Sequence, residues 1–243
     1  MGKGTLYLVP TGLGSDDVGV WLPPRSCEVV SKLQRFIAEN PKTARAFLKS
    51  AGYPGALRAL RIDTLDEHTP PSAVVELLSG LKQGEDCGLV SEAGCPAVAD
   101  PGALLVRAAH AAGIRVVPLI GPSAVLLALM ASGLNGQRFT FCGYLPVDRT
   151  ARAKALQALE AASECDDATQ IFIEAPYRND VLLTAVLETC RKDTLLCVAT
   201  DLTLASEEIR TSTVSDWQAA RPALNRRPTV FLLYREIAAG QKR

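Results

Sequence analysis

Two turns in the middle of the chain carry residue types that suit a ligand-binding site. The first runs from Ser91 to Gly102, with the sequence SEAGCPAVADPG, and the second is Gly121–Ala124. Their residues are mostly small and uncharged, so backbone groups can approach a bound molecule closely. Taken singly, they could be a rigid connector and a plain helix start. Because each follows an apolar run and one helix separates them, together they predict a shared crevice at strand ends.

The sequence does not show the pattern of a phosphate loop, a cysteine hydrolase or a metal centre. Gly12 and Gly14 follow the first apolar run, but Asp17 stands where the dinucleotide-binding fingerprint requires glycine. Cys95 lies in the first turn, and the sequence shows no base to activate it. The seven cysteines and two histidines lack metal-ligand spacing. We therefore expect no metal.

Two further segments carry groups that suit a phosphate or a nucleobase. Glu174–Asn179 ends an apolar run, and within it Tyr177 can stack on a base while Arg178 can pair with a phosphate. Arg149 and Arg152 belong to a small basic cluster. The simpler interpretation of the first segment is a solvated turn, and that of the second is a solvent-exposed helix face. The four side chains Arg149, Arg152, Tyr177 and Arg178 are thus candidate substrate contacts.

Alternating short strands and helices must position these groups. Up to Leu119 the pattern predicts a parallel α/β layer, and after Gly121 strands outnumber helices, which predicts a mixed sheet. We therefore predict an N-terminal α/β domain over residues 1–118 and a C-terminal α/β domain over residues 119–243. The first predicted helix spans Cys27–Ile37 and leads into a strand that ends at Phe36–Asn40. The other predicted helices span Thr43–Ala51, Ala73–Leu81, Ala103–Ala112, Ser123–Ser132, Arg149–Ala162 and Asp180–Cys190.

The composition bounds the class of protein. The chain has 243 residues, 48% of them hydrophobic, and 26 Lys and Arg balance 26 Asp and Glu. A formal charge of zero excludes a strongly basic nucleic-acid footprint overall, although it leaves room for a local patch. No apolar run reaches spanning length, the N-terminus lacks a signal-peptide core, and scattered thiols fit a reducing compartment. We expect a cytoplasmic protein with no membrane partner.

Taken in order, the motifs resemble the tetrapyrrole methylase superfamily of S-adenosylmethionine-dependent methyltransferases. Within it they are most similar to the ribosomal RNA small-subunit methyltransferase I group, which methylates a cytidine ribose 2′-hydroxyl in 16S rRNA. The resemblance runs over nearly the whole chain. It rests on Leu6–Gly14, Glu39–Arg45, Ser91–Gly102, Gly121–Ala124, Phe141–Pro146, Glu174–Arg178 and Asp201–Glu208, which match the group's motifs in sequence and order.

The resemblance implies a fold and a cofactor. The fold would be two α/β domains with S-adenosylmethionine bound in a cleft between them, and the protein would act as a homodimer on rRNA or the small ribosomal subunit. Carried over position by position, the implied cofactor contacts are Gly12, Ala93, Gly94, Cys95, Val98, Ser123, Ala124, Glu174 and Leu202. A ribose hydroxyl is a weak nucleophile, so a nearby carboxylate would take its proton. The candidates are Glu39, Glu92, Asp100 and Glu174.

The departures from the group's pattern leave alternatives open for the substrate. Two basic positions expected around Leu202–Thr203 are absent, and an amide at Asn40 replaces an acid. Methylation of a small, tetrapyrrole-like molecule is one alternative. A non-catalytic protein that binds S-adenosylmethionine without turnover is another. Substitutions at motif positions are Gly12 for proline, Glu92 for aspartate, Tyr177 for histidine, and Thr200 and Leu204 for arginine and lysine.

Overall fold

The chain folds into two compact units, which we describe separately. The structure is a computed structural model and describes residues 2–14 and 17–236. Unit 1 ends at Ser123 and unit 2 begins at Ala124. Within the described ranges, no helix is both long enough and apolar enough to cross a membrane.

Unit 1 contains a five-stranded parallel sheet and its surrounding helices. The elements are β1 (Thr5–Val9), α1 (Val18–Trp21), α2 (Pro24–Lys32), β2 (Arg35–Ala38), α3 (Pro41–Ser50), β3 (Arg61–Thr64), α4 (Pro71–Leu77), α5 (Ser79–Lys82), β4 (Cys87–Val90), α6 (Gly102–Ala111) and β5 (Arg115–Pro118). The strand order is β3-β2-β4-β1-β5. All residues of β2 and β4 are buried, as expected for strands covered on both faces by helices. The predicted parallel layer is therefore confirmed.

The register of unit 1 brings three chain segments to one edge of its sheet. Val90 pairs with Val9 of β1 on one side and with Ala38 of β2 on the other. These strands are parallel, so the residues that follow them leave the sheet at the same edge. Apolar clusters on the two faces fix the strands, one around Leu6 and Ile37 and one around Phe36.

Unit 2 contains a five-stranded mixed sheet. The elements are α7 (Ala124–Ser132), β6 (Phe139–Tyr144), α8 (Arg149–Asp166), β7 (Thr169–Ile173), a 3-10 turn (Pro176–Arg178), α9 (Asn179–Thr189), β8 (Leu195–Thr200), β9 (Glu208–Thr213), α10 (Val214–Ala219) and β10 (Thr229–Tyr234). The strand order is β6-β7-β10-β8-β9. Strands β6 and β7 are parallel, whereas β10 runs antiparallel to both β7 and β8, and β9 runs antiparallel to β8. The predicted mixed sheet is confirmed.

Local sequence explains where several helices begin. Asn40 caps α3 by accepting a hydrogen bond from the Lys42 N–H at 2.9 Å, and Asp148 caps α8 by accepting one from the Ala151 N–H at 2.8 Å. In α3, proline also occupies the first helical position, where its missing N–H costs nothing. Helix α8 ends at Asp166, and its C-cap residue Asp167 has a left-handed backbone, with φ 51°.

The sequence prediction extended the helix over Cys27–Ile37 too far. Helix α2 ends at Lys32, and Arg35 already belongs to β2. Arg35 is fully buried, and its guanidinium donates to Asp63 Oδ2 at 2.9 and 2.7 Å. Asp63 lies on β3, an edge strand that the prediction missed because RIDT contains no apolar run. The ion pair therefore fixes a strand register that local patterning did not reveal.

Candidate functional site

The turn after β1 and the turn after β4 are tied together by backbone hydrogen bonds. The Thr11 N–H donates to Gly94 O at 3.0 Å, and the Gly94 N–H donates to Thr11 O at 3.2 Å. The buried Ser91 hydroxyl donates to Gly94 O at 2.9 Å, and the Thr11 hydroxyl to Ser91 O at 3.2 Å. Gly12 and Ala93 are thus held beside each other at the sheet edge.

The first turn has an unusual backbone that Asp100 holds in place. Gly94, Ala97 and Ala99 all have positive φ, at 70°, 66° and 60°, and the latter two are strained conformations for alanine. The Asp100 carboxylate accepts hydrogen bonds from the Ala97 N–H at 2.8 Å and from the Gly102 N–H at 2.7 Å. Burial raises the pKa of Asp100, and these two hydrogen bonds oppose that rise. Asp100 therefore has a structural task in the loop.

The first of the two turns that the sequence singled out lies against the part of the second turn that belongs to unit 1. The Cys95 thiol donates to Pro122 O at 3.3 Å. Gly121 packs so closely on the ring of Pro10 that a Cβ at this position would collide with it. Burial raises the pKa of the Cys95 thiol, which disfavours a nucleophilic thiolate. The structure thus brings together Gly94, Cys95 and the segment before Ser123, as the spacing predicted.

Three of the four candidate carboxylates lie at this sheet edge, and two of them raise the pKa of the third. Glu39 follows β2, Glu92 follows β4 and Asp100 precedes α6. Burial raises the pKa of Glu39, and the negative charges of Asp100 and Glu92 raise it further. Among the described residues, no hydrogen bond or ion pair engages the Glu39 carboxylate. In contrast, Glu92 Oε1 accepts a hydrogen bond from the Thr43 hydroxyl at 2.6 Å.

The fourth carboxylate, Glu174, lies in unit 2 directly after β7. Its side chain is only 1% exposed, and Oε1 accepts hydrogen bonds from Arg178 Nη2 at 2.6 Å and from the Ala175 N–H at 2.7 Å. Arg178 also lies over the ring of Tyr177, with its Cζ 5.3 Å from the ring centroid. The hydrogen bond to Glu174 raises the pKa of Arg178. The Arg178 guanidinium is therefore committed to a buried carboxylate.

The segment after β8 lies at the same edge of the unit 2 sheet as Glu174, because β7 and β8 run antiparallel to the intervening β10. Asp201 and Thr203 have positive φ, at 51° and 72°, and the intervening Leu202 is buried. Arg227 Nε donates to Asp201 Oδ2 at 2.8 Å and fixes the turn. Within the described residues, Asn179 Oδ1 and Thr203 Oγ1 are buried polar atoms without a hydrogen-bond partner.

The two arginines of α8 are placed differently. Arg149 is 84% exposed and its Nη2 lies 3.4 Å from Glu188 Oε2 on α9. Arg152 is buried, and its Nη1 donates to Val147 O at 3.0 Å. Both line a groove of about 710 Å³ between α8 and α9. Arg149 is therefore open to a partner, whereas Arg152 contributes first to the local fold.

A pocket in unit 1 contains residues that sequence analysis did not select. It has a volume of about 370 Å³ and adjoins Gly12 and Ala93. Its walls include Trp21 from α1 and Phe47 from α3, whose ring centroids lie 6.0 Å apart at an interplanar angle of 30°. The only sequence signal was that Phe47 and Thr43 share one face of the predicted helix. Trp21 lies in a four-residue helix that no periodicity marks.

Comparisons with known proteins agree with this architecture. The model of the family described as Tetrapyrrole (Corrin/Porphyrin) Methylases matches residues 5–218. A relative from Xylella fastidiosa strain Temecula1, named Ribosomal RNA small subunit methyltransferase I, is 36% identical over 239 residues, or 98% of this chain and 83% of the relative. A relative of the same name from Escherichia coli O157:H7 is 34% identical over 242 residues, or 99% of this chain and 79% of the relative.

A solved structure supports the same fold. The crystal structure of the methyltransferase CobJ matches with a TM-score of 0.64 at 20% sequence identity, covering 100% of this chain and 97% of CobJ. At this identity the likeness concerns the fold. The family match and the two relatives extend over most of the sequence. This chain therefore belongs to the tetrapyrrole methylase family of methyltransferases.

Proposed function

We propose that this protein is an S-adenosylmethionine-dependent methyltransferase whose acceptor is a ribose 2′-hydroxyl in the RNA of the small ribosomal subunit. The observation that carries the proposal is the 36% identity, over 98% of the chain, to a relative named for small-subunit rRNA methylation. No observation on this chain favours the small-molecule or non-catalytic alternatives. A ribosomal acceptor would be met in the cytoplasm, which is the compartment that we infer.

The residues at the two sheet edges fit the proposed cofactor. In unit 1, the Thr11–Gly94 bridge holds the backbones of two turns with small residues beside each other. In unit 2, the orphaned atoms Asn179 Oδ1 and Thr203 Oγ1 need a hydrogen-bond partner, which the amino and hydroxyl groups of S-adenosylmethionine could supply. When bound, the cofactor supplies an electrophilic methyl group. We assign its contacts to Gly12, Ala93, Gly94, Cys95, Val98, Ser123, Ala124, Glu174 and Leu202.

Positioning supplies much of the rate of a methyl transfer, because an in-line displacement requires the two reacting atoms to be aligned and close. The small residues of the two turns in unit 1 allow this close approach to the backbone. Asp100 holds the first turn in its strained form, so the loop need not be ordered when ligands bind. We therefore assign Asp100 to preorganisation of the site.

We propose Glu39 as the group that takes the proton of the acceptor hydroxyl. A general base works best when its pKa lies near the operating pH, and burial with acidic neighbours raises the pKa of Glu39 towards that range. The other candidates are engaged elsewhere: Glu92 by Thr43, Asp100 by two backbone N–H groups, and Glu174 by Arg178. Glu39 alone among the four candidates has a carboxylate without a hydrogen bond from the described residues.

We propose that exposed side chains of unit 2 contact the RNA backbone. Arg149 is open to solvent, and Tyr177 is 69% exposed beside Arg178. A cation that neutralises one phosphate steepens the salt dependence of RNA binding, so Arg149→Ala should reduce the slope of log K against log salt by about 0.7 to 1. Arg178 is a poor choice for this test, because its removal would leave buried Glu174 unpaired. Arg152 is also less suitable, because it is buried.

We also propose that the protein is a homodimer that uses the outer face of α7. This helix, AVLLALMAS, contains no charged residue, although Met130 is 79% exposed. A helix that is apolar all round is normally covered on every side. The exposed apolar part of α7 is thus a candidate for contact with a second copy of the chain.

The test of the proposed activity is methyl transfer from radiolabelled S-adenosylmethionine to RNA. Purified 30S particles, naked 16S rRNA and a metabolite extract are offered as separate acceptors, while calorimetry measures cofactor binding. We expect label in 16S rRNA from one of the first two, at a nucleotide that resists alkaline cleavage because its 2′-oxygen is methylated. Label only in a small molecule would favour the tetrapyrrole-like alternative. Cofactor binding without transfer to any acceptor would favour the non-catalytic one.

A further inference from the structure

The Trp21 pocket, which we define by Thr11, Trp21, Thr43, Phe47, Ser91 and Glu92, has an aromatic wall with no role in the function described so far. The pocket lies wholly in unit 1 and has a volume of about 370 Å³. Two of the cofactor contacts that we propose, Gly12 and Ala93, line one side of it, whereas Gly94, Cys95 and Val98 do not line it. Its size lies in the range of pockets that bind small organic groups. The pocket therefore offers space beside the proposed cofactor contacts.

One side of the Trp21 pocket is aromatic. Trp21 and Phe47 come from different helices and are tilted by 30°, with centroids 6.0 Å apart. Both residues are half-buried, so the fold supports the rings and still leaves part of their surface accessible. Proteins that bind an unstacked nucleobase commonly stack it on such side chains, since every base has a π-face. The aromatic pair thus suits a flat ring.

Another side of the Trp21 pocket presents a hydrogen-bond acceptor. Glu92 Oε1 is held by the Thr43 hydroxyl at 2.6 Å, and no described residue donates to its second oxygen. The Thr43 hydroxyl also lies 2.9 Å from Asn40 O, so its single proton is shared between these two acceptors. An ionised carboxylate accepts hydrogen bonds only. This polar edge therefore favours a donor such as an exocyclic amine, and it disfavours a carbonyl oxygen.

We infer that the Trp21 pocket receives an unpaired nucleobase with an exocyclic amine from the RNA substrate. The base stacks on Trp21 and Phe47, and its amine donates a hydrogen bond to Glu92. This inference rests on the proposed function, because it supplies the recognition of a nucleotide next to the site of methyl transfer. Enzymes that act on one nucleotide of an RNA commonly read an extruded base by stacking and by hydrogen bonds to its edge. Cytosine and adenine carry the required amine, and uracil does not.

Tryptophan fluorescence gives a direct test, because the chain has only two tryptophans. Trp217 is buried and donates to Leu196 O, so Trp21 is the one that a nucleotide can reach. The full-length protein, saturated with S-adenosylhomocysteine, is titrated with CMP, AMP and UMP in turn. We expect CMP and AMP to quench saturably and UMP to bind roughly tenfold more weakly, since it loses the hydrogen bond to a charged acceptor. Trp21→Phe should abolish the quenching.

Two variants at acidic positions test the polar edge. Glu92→Gln replaces the carboxylate with an amide that can donate to a carbonyl oxygen, so it should remove the preference for CMP over UMP. Glu76→Gln, an exposed position on α4 outside the pocket, should leave the preference unchanged. Circular dichroism confirms that each variant is folded. Equal quenching by CMP and UMP in the wild type would overturn the assignment of Glu92.

The outcomes separate this inference from the proposed function. Absence of quenching by every nucleotide, in a protein that binds S-adenosylmethionine and methylates 16S rRNA, would overturn the base pocket and leave the function standing. Selective quenching by CMP and AMP in a protein without methyl transfer would support the pocket and overturn the proposed activity. If Trp21 and Phe47 only stabilise the packing of α1, no nucleotide should quench the fluorescence.

Discussion

The role that we propose for Glu39 depends on its neighbours. It follows β2, and the parallel register places it at the same sheet edge as Glu92 and Asp100. Burial is the largest cause of its raised pKa, followed by the charges of Asp100 and Glu92. A carboxylate in this environment holds a proton more readily than an exposed one. That property suits a group that must accept a proton from a hydroxyl.

The first prediction concerns Glu39→Gln. This change should lower kcat for rRNA methylation by about 10²–10⁴-fold, the usual contribution of a general base, because the amide cannot accept the proton. Cofactor affinity measured by calorimetry should stay unchanged. The wild-type rate should fall as the pH is lowered through the raised pKa of Glu39, and this acidic limb should disappear in the variant.

Glu76→Gln is the matched control for Glu39→Gln. Glu76 is exposed on α4 and takes no part in the proposed site. Its substitution should leave both kcat and the acidic limb intact. If Glu39→Gln retains the wild-type rate and pH profile, Glu39 is not the proton acceptor, and the assignment must move to another carboxylate.

At the scale of elements, the packing of the second turn on the turn after β1 depends on the absence of a side chain at Gly121. A Cβ here would collide with the ring of Pro10, and the neighbouring Pro122 accepts a hydrogen bond from the Cys95 thiol. The second turn therefore contacts the turn after β1 because residue 121 is glycine. A small residue at this position is a requirement of packing rather than of backbone flexibility.

The second prediction follows from this contact. Gly121→Ala should destabilise the protein by roughly 1–3 kcal/mol, as overpacking does, and should weaken S-adenosylmethionine binding because the turn must shift. Thermal unfolding and calorimetry measure the two effects. Gly136→Ala is the control, since a Cβ at Gly136 would meet nothing within 4 Å. Equal stability and affinity in both variants would contradict the proposed packing role.

At the scale of the whole molecule, the acidic residues at the unit 1 sheet edge should affect stability as a function of pH. Burial raises the pKa of both Glu39 and Asp100. For an acid with a raised folded pKa, the unfolded state ionises first as the pH rises, so stability falls between the unfolded and the folded pKa. Stability linked to these groups is thus fully present below their unfolded values and lost above the folded ones.

The third prediction uses the double variant Glu39→Gln, Asp100→Asn. The amide oxygen of asparagine can still accept hydrogen bonds from the Ala97 and Gly102 N–H groups, so the loop keeps its support. The Tm of the variant minus that of the wild type should become more positive as the pH rises from about 4 to 7. Calorimetric scans across this range measure it. A difference that is constant with pH would show that neither carboxyl has a raised pKa.

The fourth prediction concerns assembly. Met130→Glu should shift the proposed homodimer to monomer in light scattering coupled to size-exclusion chromatography, because it places a charge on the apolar outer face of α7. Val75→Glu on α4 is the control, since Val75 is also an exposed apolar residue but lies on a different helix. A wild-type protein that is monomeric at micromolar concentration would remove the basis for this interface.

Local patterns in the sequence predicted the type of each sheet and most of the elements. Short apolar runs separated by helices predicted the parallel sheet of unit 1, and the excess of strands after Gly121 predicted the mixed sheet of unit 2. These features are local, since they depend on which residues recur at strand or helix spacing. The motifs also identified the family, because the particular small residues of the turns at strand ends can be read directly from the sequence.

Tertiary contacts set the partners of the side chains that the sequence selected. Arg178, predicted as a phosphate contact, also pairs with buried Glu174. Asp100, a candidate for the carboxylate that takes the proton, accepts two backbone hydrogen bonds in a strained loop. Trp21 had no periodic signal and yet lies beside Phe47 in a pocket. Hydrogen-bond partners, burial and pKa depend on residues far apart in the chain, and no local pattern encodes them.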